Sequence, residues 1–360
     1  MKRFAKHQPT RPLKEQGVAL ITALLVVSLA TVLAVALVKH LYFDIRRTEN
    51  ILRLDQAQLF NKNSVEFAIV LISRDWELNN KIDTIEDIDT FNDYAIAISF
   101  EGPPVSLELT DLQSCFNLNN LSKTNTDLPR YRAQYLRLLS SLEIDPNLRT
   151  SLVDSLIDWI DPDSLNEPQG AEVDYYIGLE KPYQAANTLM TSPSELRLVK
   201  GYTDEVVKEV EQYTCVLPDI NTGININTAN SKMLESIDGL KGHGDAIIEY
   251  RDGNLPADAT QNNNGNNTGD INAINDAAND INSAEPDRNP FEKIDDFKKY
   301  VIDTLKVKDF DPVGLQEYSE YFLVKSKTEL GTSNIKLFSI IHRDNVEGKT
   351  TLSQQTSGAL

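Results

Sequence analysis

The chain begins with a short polar segment and then a long apolar run. Residues 18–38 carry no charged side chain, and only three hydroxyl residues interrupt the aliphatic sequence. As an α-helix this run would be roughly 31 Å long, enough to cross the hydrocarbon core of a bilayer. Apolar residues keep a helical spacing to about Trp76 without proline or glycine. The pattern predicts one long helix that leaves a membrane segment (18–45) and packs its second half on a globular body.

Strand-like patterns lie at the two ends of the body. Residues 94–100 and 105–112 read as strands about a Gly-Pro-Pro turn, and residues 321–328 and 335–343 form a second pair. The residues between these pairs read mostly as helices, at 130–142, 146–159, 193–200, 204–213, 231–237, 244–251 and 291–305. The predicted fold class is α+β: a long N-terminal helix plus a small antiparallel sheet, with a large inserted α-helical domain.

The predicted domain boundaries follow from this interruption. The sheet part occupies residues 46–112 and 318–360, and the helical insertion occupies residues 113–317. Within the insertion, residues 254–289 are rich in Asn, Asp, Ala and Gly and have almost no large apolar side chains. Such a segment cannot bury enough apolar surface to offset its ordering entropy, so it is predicted to be a flexible surface loop.

Composition narrows the functional classes. The formal net charge is -19, from 54 acidic and 35 basic residues. A body this acidic repels nucleic-acid phosphates and suits protein partners and divalent cations. The four histidines are dispersed, and no nucleophile elbow, Walker loop or His-Glu-x-x-His string is present in the sequence. The chain is therefore predicted not to be an enzyme.

The two cysteines, Cys115 and Cys215, leave two possibilities open. In an oxidising compartment they could form a disulfide, which would stabilise by about 4–5 kcal/mol on the chain-entropy model. Alternatively, they are two separately buried thiols.

The residues before the apolar run indicate orientation and processing. Basic residues dominate this flank, so the positive-inside rule keeps the first 17 residues cytoplasmic. The junction at residues 14–18, Lys-Glu-Gln-Gly-Val, resembles the prepilin signal of type IV pilins and type II secretion pseudopilins. The resemblance implies that a prepilin peptidase cleaves between Gly17 and Val18 and that Val18 is then methylated. The alternative is a plain signal anchor with a chance glycine.

One departure from the pilin pattern is informative. Most members of that family carry glutamate at the fifth mature position, which here is Thr22. Its absence resembles one member, the K-type minor pseudopilin of type II secretion systems (general secretion pathway protein K family). In the pilin family the glutamate neutralises the N-terminal amine of a neighbouring subunit in the filament. A subunit at the tip has no subunit above it, so it needs no such glutamate. The pilin-like helix and sheet with a helical insertion resemble the same family.

An acidic segment follows the predicted helix 146–159 and carries the strongest internal match. Its Trp-Ile-Asp-Pro-Asp and Gly-Ala-Glu-Val-Asp-Tyr strings resemble the K-type pattern, and that resemblance implies structural calcium in the helical insertion. Mutually repelling carboxylates in a loop suit a hard cation with oxygen ligands. The candidate ligands are Asp161, Asp163, Glu167, Glu172 and Asp174. The alternative is a solvated acidic loop.

Two further strings resemble the K-type pattern. Asn117, Asn119 and Asn120 are expected to bond buried backbone groups near the sheet. The Asn-x-Asn-Thr-Ala string at 225–229, followed by a Gly-rich turn at 239–244, also resembles a helix-hairpin-helix unit. That unit could present backbone amides to a DNA phosphate, which makes a membrane-anchored periplasmic DNA receptor the rival hypothesis. Acidic residues outnumber basic ones there, which favours a packing role.

The resemblance as a whole implies a non-enzymatic assembly role in the bacterial inner membrane, with the body in the periplasm. The implied protein is a minor pseudopilin at the tip of the type II secretion pseudopilus that initiates pseudopilus assembly. Its expected partners are the I- and J-type minor pseudopilins, the major pseudopilin and the prepilin peptidase. The expected cofactor is calcium, and no nucleic-acid partner is expected.

Overall fold

The computed structural model describes residues 14–78, 81–97, 105–253, 288–330 and 333–358. Helix α1 (Lys14–Leu78) contains the apolar run. It is the one helix among these residues that is long and apolar enough to cross a membrane, and its most apolar window is not buried within the protein. The predicted leader up to residue 13, and the predicted loop at 254–289 apart from its last two residues, lie outside the described residues.

Helix α2 (Ile85–Ala97) replaces the first predicted strand. The strand prediction at 94–100 is wrong over residues 94–97, which are helical. The helix is started by a reciprocal pair of hydrogen bonds, in which Thr84 N donates to Asp87 Oδ2 and Asp87 N donates to Thr84 Oγ1. Asn92 then bonds both backbone groups of Leu109 on the neighbouring strand, so α2 is held against the sheet.

The chain then gives the first strand of the sheet, β1 (Val105–Asp111), and enters the helical insertion. The insertion contains α-helices, short strands and two 3-10 helices. In chain order they are β2 (Phe116–Asn117), the 3-10 helix η1 (Leu118–Leu121), α3 (Leu128–Ser141), α4 (Pro146–Ile160), α5 (Val173–Ile177), the 3-10 helix η2 (Pro193–Leu198), α6 (Asp204–Val210), β3 (Thr214–Cys215), β4 (Ile224–Asn225), α7 (Ser231–Ser236), α8 (Gly244–Arg251), α9 (Ile294–Asp303) and β5 (Leu315–Gln316).

The main sheet has the order β1-β6-β7-β8 and is antiparallel throughout. Its last three strands are β6 (Tyr321–Leu330), β7 (Ser333–Arg343) and β8 (Thr350–Thr356). Leu109 of β1 stands opposite Val324 of β6, although most of the chain separates them. The predicted α+β class, with a long helix, a small antiparallel sheet and a helical insertion, is confirmed, whereas the exact boundaries at 112 and 318 stay a prediction.

The described residues form two large apolar cores and a small third one around Cys215 and Ile340. Val65, Ala68 and Ile72 recur on one face of α1 and pack against Leu107 of β1 and Phe322 of β6. A larger core lies within the insertion, where α4 and α3 contribute the largest groups of buried side chains and the other helices and the loops between them supply the rest. The second half of α1 is therefore part of the sheet's core, while the insertion has a core of its own.

Between the two cores lies a buried polar network that we call the junction cluster: Asp83, Asp111, Asn225, Thr228, Ser319 and Arg343. Arg343 of β7 is 1% exposed, and its Nη2 nitrogen forms an ion pair with Asp83 and also donates to the Ser319 carbonyl. Asp111 at the end of β1 accepts from the hydroxyls of Ser319 and Thr228 and from Asn225 Nδ2. The network bonds the sheet to the insertion at the place where the chain passes between them.

Candidate metal centre

The candidate site is built on the C-terminal end of α4. Asp145 caps the start of this helix by accepting from Asn147 N, and Pro146 occupies its first turn. Asp154 and Asp158 are four residues apart and so share a face, and Asp161 follows as the C-cap. Carboxylates at this end of a helix lie beside the negative end of its dipole, which disfavours their ionised form. The arrangement therefore needs positive charge from elsewhere.

Three carboxylates converge there. Asp158, Asp161 and Glu172 are buried, and each offers an oxygen within 4.8 Å of the others. No hydrogen bond of acceptable geometry reaches either carboxylate oxygen of Glu172 from any residue that the structure describes. Glu172 is 4% exposed, so this unpartnered side chain cannot be satisfied by bulk water. We call these three residues together with Lys123 the loop cluster.

Two of the buried carboxylates, Glu172 and Asp158, hold their protons more tightly than exposed ones. Burial, helped by the charges of Asp161 and Asp158, raises the pKa of Glu172 to about 7. Burial also raises the pKa of Asp158 to about 6, although the Glu167 N–H and the Lys123 charge oppose the shift. A bound cation would reverse these shifts, because it favours the ionised forms.

Lys123 supplies positive charge to the cluster. Its Nζ lies 2.6 Å from Asp161 Oδ2, 3.4 Å from Glu167 Oε1, 3.7 Å from Asp163 Oδ2 and 3.9 Å from Asp158 Oδ1. Partial burial by itself would lower the pKa of Lys123, but the contacts with these carboxylates raise it overall. Lys123 is therefore charged at neutral pH.

The loop that follows α4 is wrapped around the carboxylates. The N–H of Glu167 donates to Asp158 Oδ1 at 2.9 Å, and the N–H of Gln169 donates to Asp154 Oδ2 at 3.2 Å. Gly170 lies so close to Asp158 that a Cβ atom there would collide with the carboxyl group. Arg132 neutralises Asp154 through a 2.6 Å contact. Asp154 is thus fully paired, whereas Asp158 and Asp161 share one lysine and Glu172 has no basic partner in the described residues.

These residues fit a hard divalent cation. The unpartnered oxygens of Glu172, with the carboxylates of Asp161 and Asp158 beside them, are the donors that Ca²⁺ prefers. A bound ion would supply charge neutralisation only, holding the loop at 161–172 against α4. The part of the site nearest Lys123 already contains a cation of the protein's own.

The structure distributes the five predicted ligands unevenly. Asp161 and Glu172 lie in the buried group, Glu167 and Asp163 face Lys123 at its more exposed side, and Asp174 is exposed on α5 outside the group. Sequence reasoning missed Asp158 and Lys123. The signal for Asp158 was its position three residues before Asp161, on the same helix face. No local signal pointed to Lys123, which arrives from a distant turn. The ligand set stays a prediction.

The helix-hairpin-helix segment is occupied with internal packing. Gly244 at the start of α8 approaches the backbone and hydroxyl of Ser231 at the start of α7 so closely that a Cβ atom would not fit. Arg251 is 4% exposed and donates to the carbonyls of Ile226 and Ala229. The close glycine and the inward arginine therefore serve the contact between α7 and α8.

The two cysteines are joined in the structure. Cys115 and Cys215 form a disulfide with their Cα atoms 5.9 Å apart, within the range that a disulfide spans. The bond ties the segment before β2 to β3, beside the face of the sheet that carries Leu323 and Ile340. Of the two possibilities that the sequence left open, a disulfide or two separate thiols, the structure contains the disulfide.

The long exposed helix, the small antiparallel sheet and the inserted helical domain define a pilin-like protein with a membrane-anchor helix. A family model for the type II secretion system protein K matches residues 114–219, which include Lys123 and the whole acidic segment. Type II secretion system protein K of Aeromonas hydrophila is 30% identical over 60% of this chain and 67% of its own length. The Pseudomonas aeruginosa protein is 30% identical over 66% of this chain and 72% of its own length. The chain belongs to the type II secretion system protein K family.

The fold has a counterpart among solved structures. The crystal structure of the GspK-GspI-GspJ complex from the enterotoxigenic Escherichia coli type 2 secretion system matches with a TM-score of 0.61. The match covers 87% of this chain and 100% of the other at 21% identity, so it bears on the fold. The predicted family is confirmed. Neither the family match nor the structural match supports the DNA-receptor alternative.

Proposed function

We propose that this protein is a minor pseudopilin that sits at the tip of the type II secretion pseudopilus and initiates its assembly. The proposal places α1 in the bacterial inner membrane and the body in the periplasm, after a prepilin peptidase has cleaved at Gly17 and Val18 has been methylated. The related structure is described as a complex of GspK with GspI and GspJ. By analogy, the I- and J-type minor pseudopilins are the first partners, and the major pseudopilin follows.

The observation that carries the proposal is the exposed apolar surface of α1. Residues facing outward in the membrane run, such as Leu25 and Leu33, are more than half exposed, as a helix awaiting lipid or other helices would be. The apolar surface continues beyond the membrane run, where Ile45, Leu52 and Leu59 are 49%, 56% and 59% exposed. These three lie seven residues apart on one helix face, which is the geometry of a seam between packed helices.

Thr22 supports a position at the end of a filament. Its hydroxyl donates to the Ala19 carbonyl at 3.0 Å, so the side chain is satisfied within its own helix. A glutamate at this place would need a positive partner in the membrane, whereas this helix needs none. The helical insertion adds bulk at the other end of the molecule, which suits a tip subunit better than one stacked within a shaft.

The calcium role is structural in this proposal. An ion held by Asp158, Asp161 and Glu172 would neutralise buried carboxylates and fix the loop after α4, and it would take no part in a reaction. The rest of the protein would then present a preformed helical insertion to whatever lies beyond the tip.

Two measurements on membrane-extracted protein test the proposal. Intact mass and N-terminal analysis should find an N-methylated Val18, and co-purification with tagged I- and J-type pseudopilins should recover a complex. A Gly17→Leu variant should keep its leader and lose the complex. An intact Met1 on the wild-type protein would contradict prepilin processing, and processed protein that binds neither pseudopilin would contradict the tip assembly.

A further inference from the structure

The backbone around Lys123 is unusually well fixed for a turn. Asn117 caps η1 by accepting from Asn119 N, and the amide of Asn119 donates to two backbone carbonyls elsewhere in the insertion. On the other side of the turn, Asn125 donates to the carbonyl of Asn120 at 2.9 Å. All of these asparagines are buried. The turn is therefore held rigidly, and it delivers the lysine side chain to the end of α4.

The ammonium group occupies the position that a cation would take. Four carboxylates lie within 4.0 Å of Lys123 Nζ, and the Leu165 carbonyl oxygen is 3.4 Å away. The shortest of these contacts, at 2.6 Å, is with Asp161, which also belongs to the buried group of three carboxylates. Glu172 is not among the carboxylates that the lysine contacts. One positive charge thus contacts four carboxylates, and the buried Glu172 is left without a cation.

We propose that Lys123 is a tethered counter-ion, which holds the loop at 161–172 closed in the absence of a divalent cation and competes with that cation for Asp161. The second, independent observation is Glu172, whose buried and unpartnered oxygens point to a ligand beyond the lysine. The inference rests on the calcium role proposed above and concerns the regulation of that site.

The exchange needs only a side-chain movement. The Lys123 side chain is 23% exposed, and the Glu167 and Asp163 carboxylates that it also contacts are 30% and 45% exposed. When a divalent ion binds Asp158, Asp161 and Glu172, the ammonium group can turn outward to these two carboxylates on its flexible stem. The loop thus keeps a cation in both states, and the insertion stays folded at low calcium.

The test compares full-length, detergent-solubilised wild type with Lys123→Met, which keeps the stem and removes the charge. In EDTA we expect the wild type to unfold at nearly the same temperature as in calcium chloride. The variant should unfold at a clearly lower temperature in EDTA and recover in calcium chloride. By calorimetric titration the variant should bind Ca²⁺ at least about tenfold more tightly, because its competitor is gone.

Lys200→Met is the matched control. Lys200 donates to the carbonyls of Gln169 and Gly170 in the same loop, at 3.4 and 2.9 Å, and no carboxylate contact of this lysine is present in the described residues. Calcium should not compensate for the loss of Lys200 on our proposal, so the unfolding temperature of Lys200→Met should differ from that of the wild type equally in EDTA and in calcium chloride.

Several outcomes would overturn the proposal. Equal calcium affinity in wild type and Lys123→Met would show that the lysine does not compete, while leaving the calcium role intact. Absence of binding to either protein would remove the calcium role and the competition together, without touching pseudopilin assembly. If Lys123→Met does not fold even in calcium chloride, the Lys123→Met/Asp161→Asn protein should fold without calcium, and its failure would count against the lysine as a counter-ion.

Discussion

The junction cluster and the loop cluster both bury several carboxylates beside one basic residue, but they satisfy them to different degrees. At the junction, Asp111 accepts from Thr228, Ser319 and Asn225, and Asp83 is paired with Arg343. In the loop cluster, Glu172 has no hydrogen-bond partner within the described residues. A buried polar network with every oxygen satisfied fixes a geometry, whereas one with oxygens left over has room for an additional cation.

The basic residues of the two clusters, Arg343 and Lys123, also differ in how firmly they are held. The Arg343 guanidinium is enclosed by the rings of Trp76 and Phe322, with its central carbon 4.5 and 4.8 Å from their centroids. The guanidinium group donates hydrogen bonds to Asp83 and to the Ser319 carbonyl at the same time. Lys123 is a point charge on a flexible stem with part of its surface exposed. The arginine is a fixed part of the fold, whereas on our proposal a divalent cation can replace the lysine at Asp161.

The largest expected effect comes from removing the junction cation. Arg343→Met leaves Asp83 and Asp111 without their buried positive charge, so we expect the free energy of unfolding to fall by about 3–5 kcal/mol in denaturant titrations. Calcium should not restore it. The control is Lys325→Met, which breaks an exposed ion pair with Glu108 on the same sheet and should lose less than about 1 kcal/mol. Equal losses would remove the distinction between the two sites.

The second-largest effect is expected at Gly170, where the loop lies very close to the Asp158 side chain. Gly170→Ala places a methyl group against the Asp158 carboxyl and 3.1 Å from the Asp154 carbonyl. The loop must shift to accommodate it, so we expect the free energy of unfolding to fall by about 1–3 kcal/mol. Gly178→Ala is the control, because its Cβ would meet only ordinary contacts at 3.4 Å. Thermal unfolding of both variants checks this, and an unaffected Gly170→Ala protein would contradict the packing of the loop on Asp158.

The same chemical change should have opposite signs in the two clusters. Without calcium at pH 8, Glu172→Gln removes an unpaired buried charge and should stabilise by about 1–2 kcal/mol. Asp111→Asn removes a satisfied carboxylate and should destabilise. Because the pKa of folded Glu172 is raised from 4.5 to about 7, the folded form binds the extra proton between these values, so its contribution to stability falls as pH rises through that window.

Stability measured against pH in EDTA resolves this effect. Glu172→Gln should have a shallower decline than wild type between about pH 4.5 and pH 7, since only the part due to Glu172 is removed. The pKa of Asp158 and that of Asp83 are also raised, to about 6, and that of Asp75 to about 7, so a decline remains. An unchanged slope would show that Glu172 does not titrate in this window.

The smallest effect is expected at a predicted ligand that lies outside the buried group. Asp174 is exposed, so Asp174→Asn should change the calcium dissociation constant by less than about twofold, against a much larger loss for Glu172→Gln. Calorimetric titration measures both. Equal losses would make Asp174 a ligand in the calcium-bound state.

The sequence predicted most of the long elements, because their periodic patterns agree with their packing. It failed where a local pattern was ambiguous or a partner was distant. The alternating stretch at 94–100 reads as a strand, but the Thr84–Asp87 cap and the bonds of Asn92 to β1 favour a helix, and its described residues, 94–97, are helical. Strand β8 was missed because its threonines, serine and glutamines lack an apolar face.

The candidate site was predictable in part for a similar reason. The acidic loop stands out as a cluster in the sequence, so Asp161 and Glu172 could be proposed. Asp158 sits inside an apolar helix pattern and was read as part of the helix. Lys123 approaches from a turn whose position depends on buried asparagine bonds, and the tertiary fold alone brings it to α4. Asn117, Asn119 and Asn120 do bond backbone groups as predicted.

The pairing of β1 with β6 has a consequence for how the chain is made. The two strands are separated by the whole insertion, so the sheet cannot close until the strands that follow the insertion have been synthesised. Until then, Val65, Ala68 and Ile72 of α1 have no sheet to cover them. The insertion can fold earlier around its own core. We therefore expect the helical insertion to fold first, and the closing of the sheet on α1 to be the slow step during which apolar surface is exposed to aggregation.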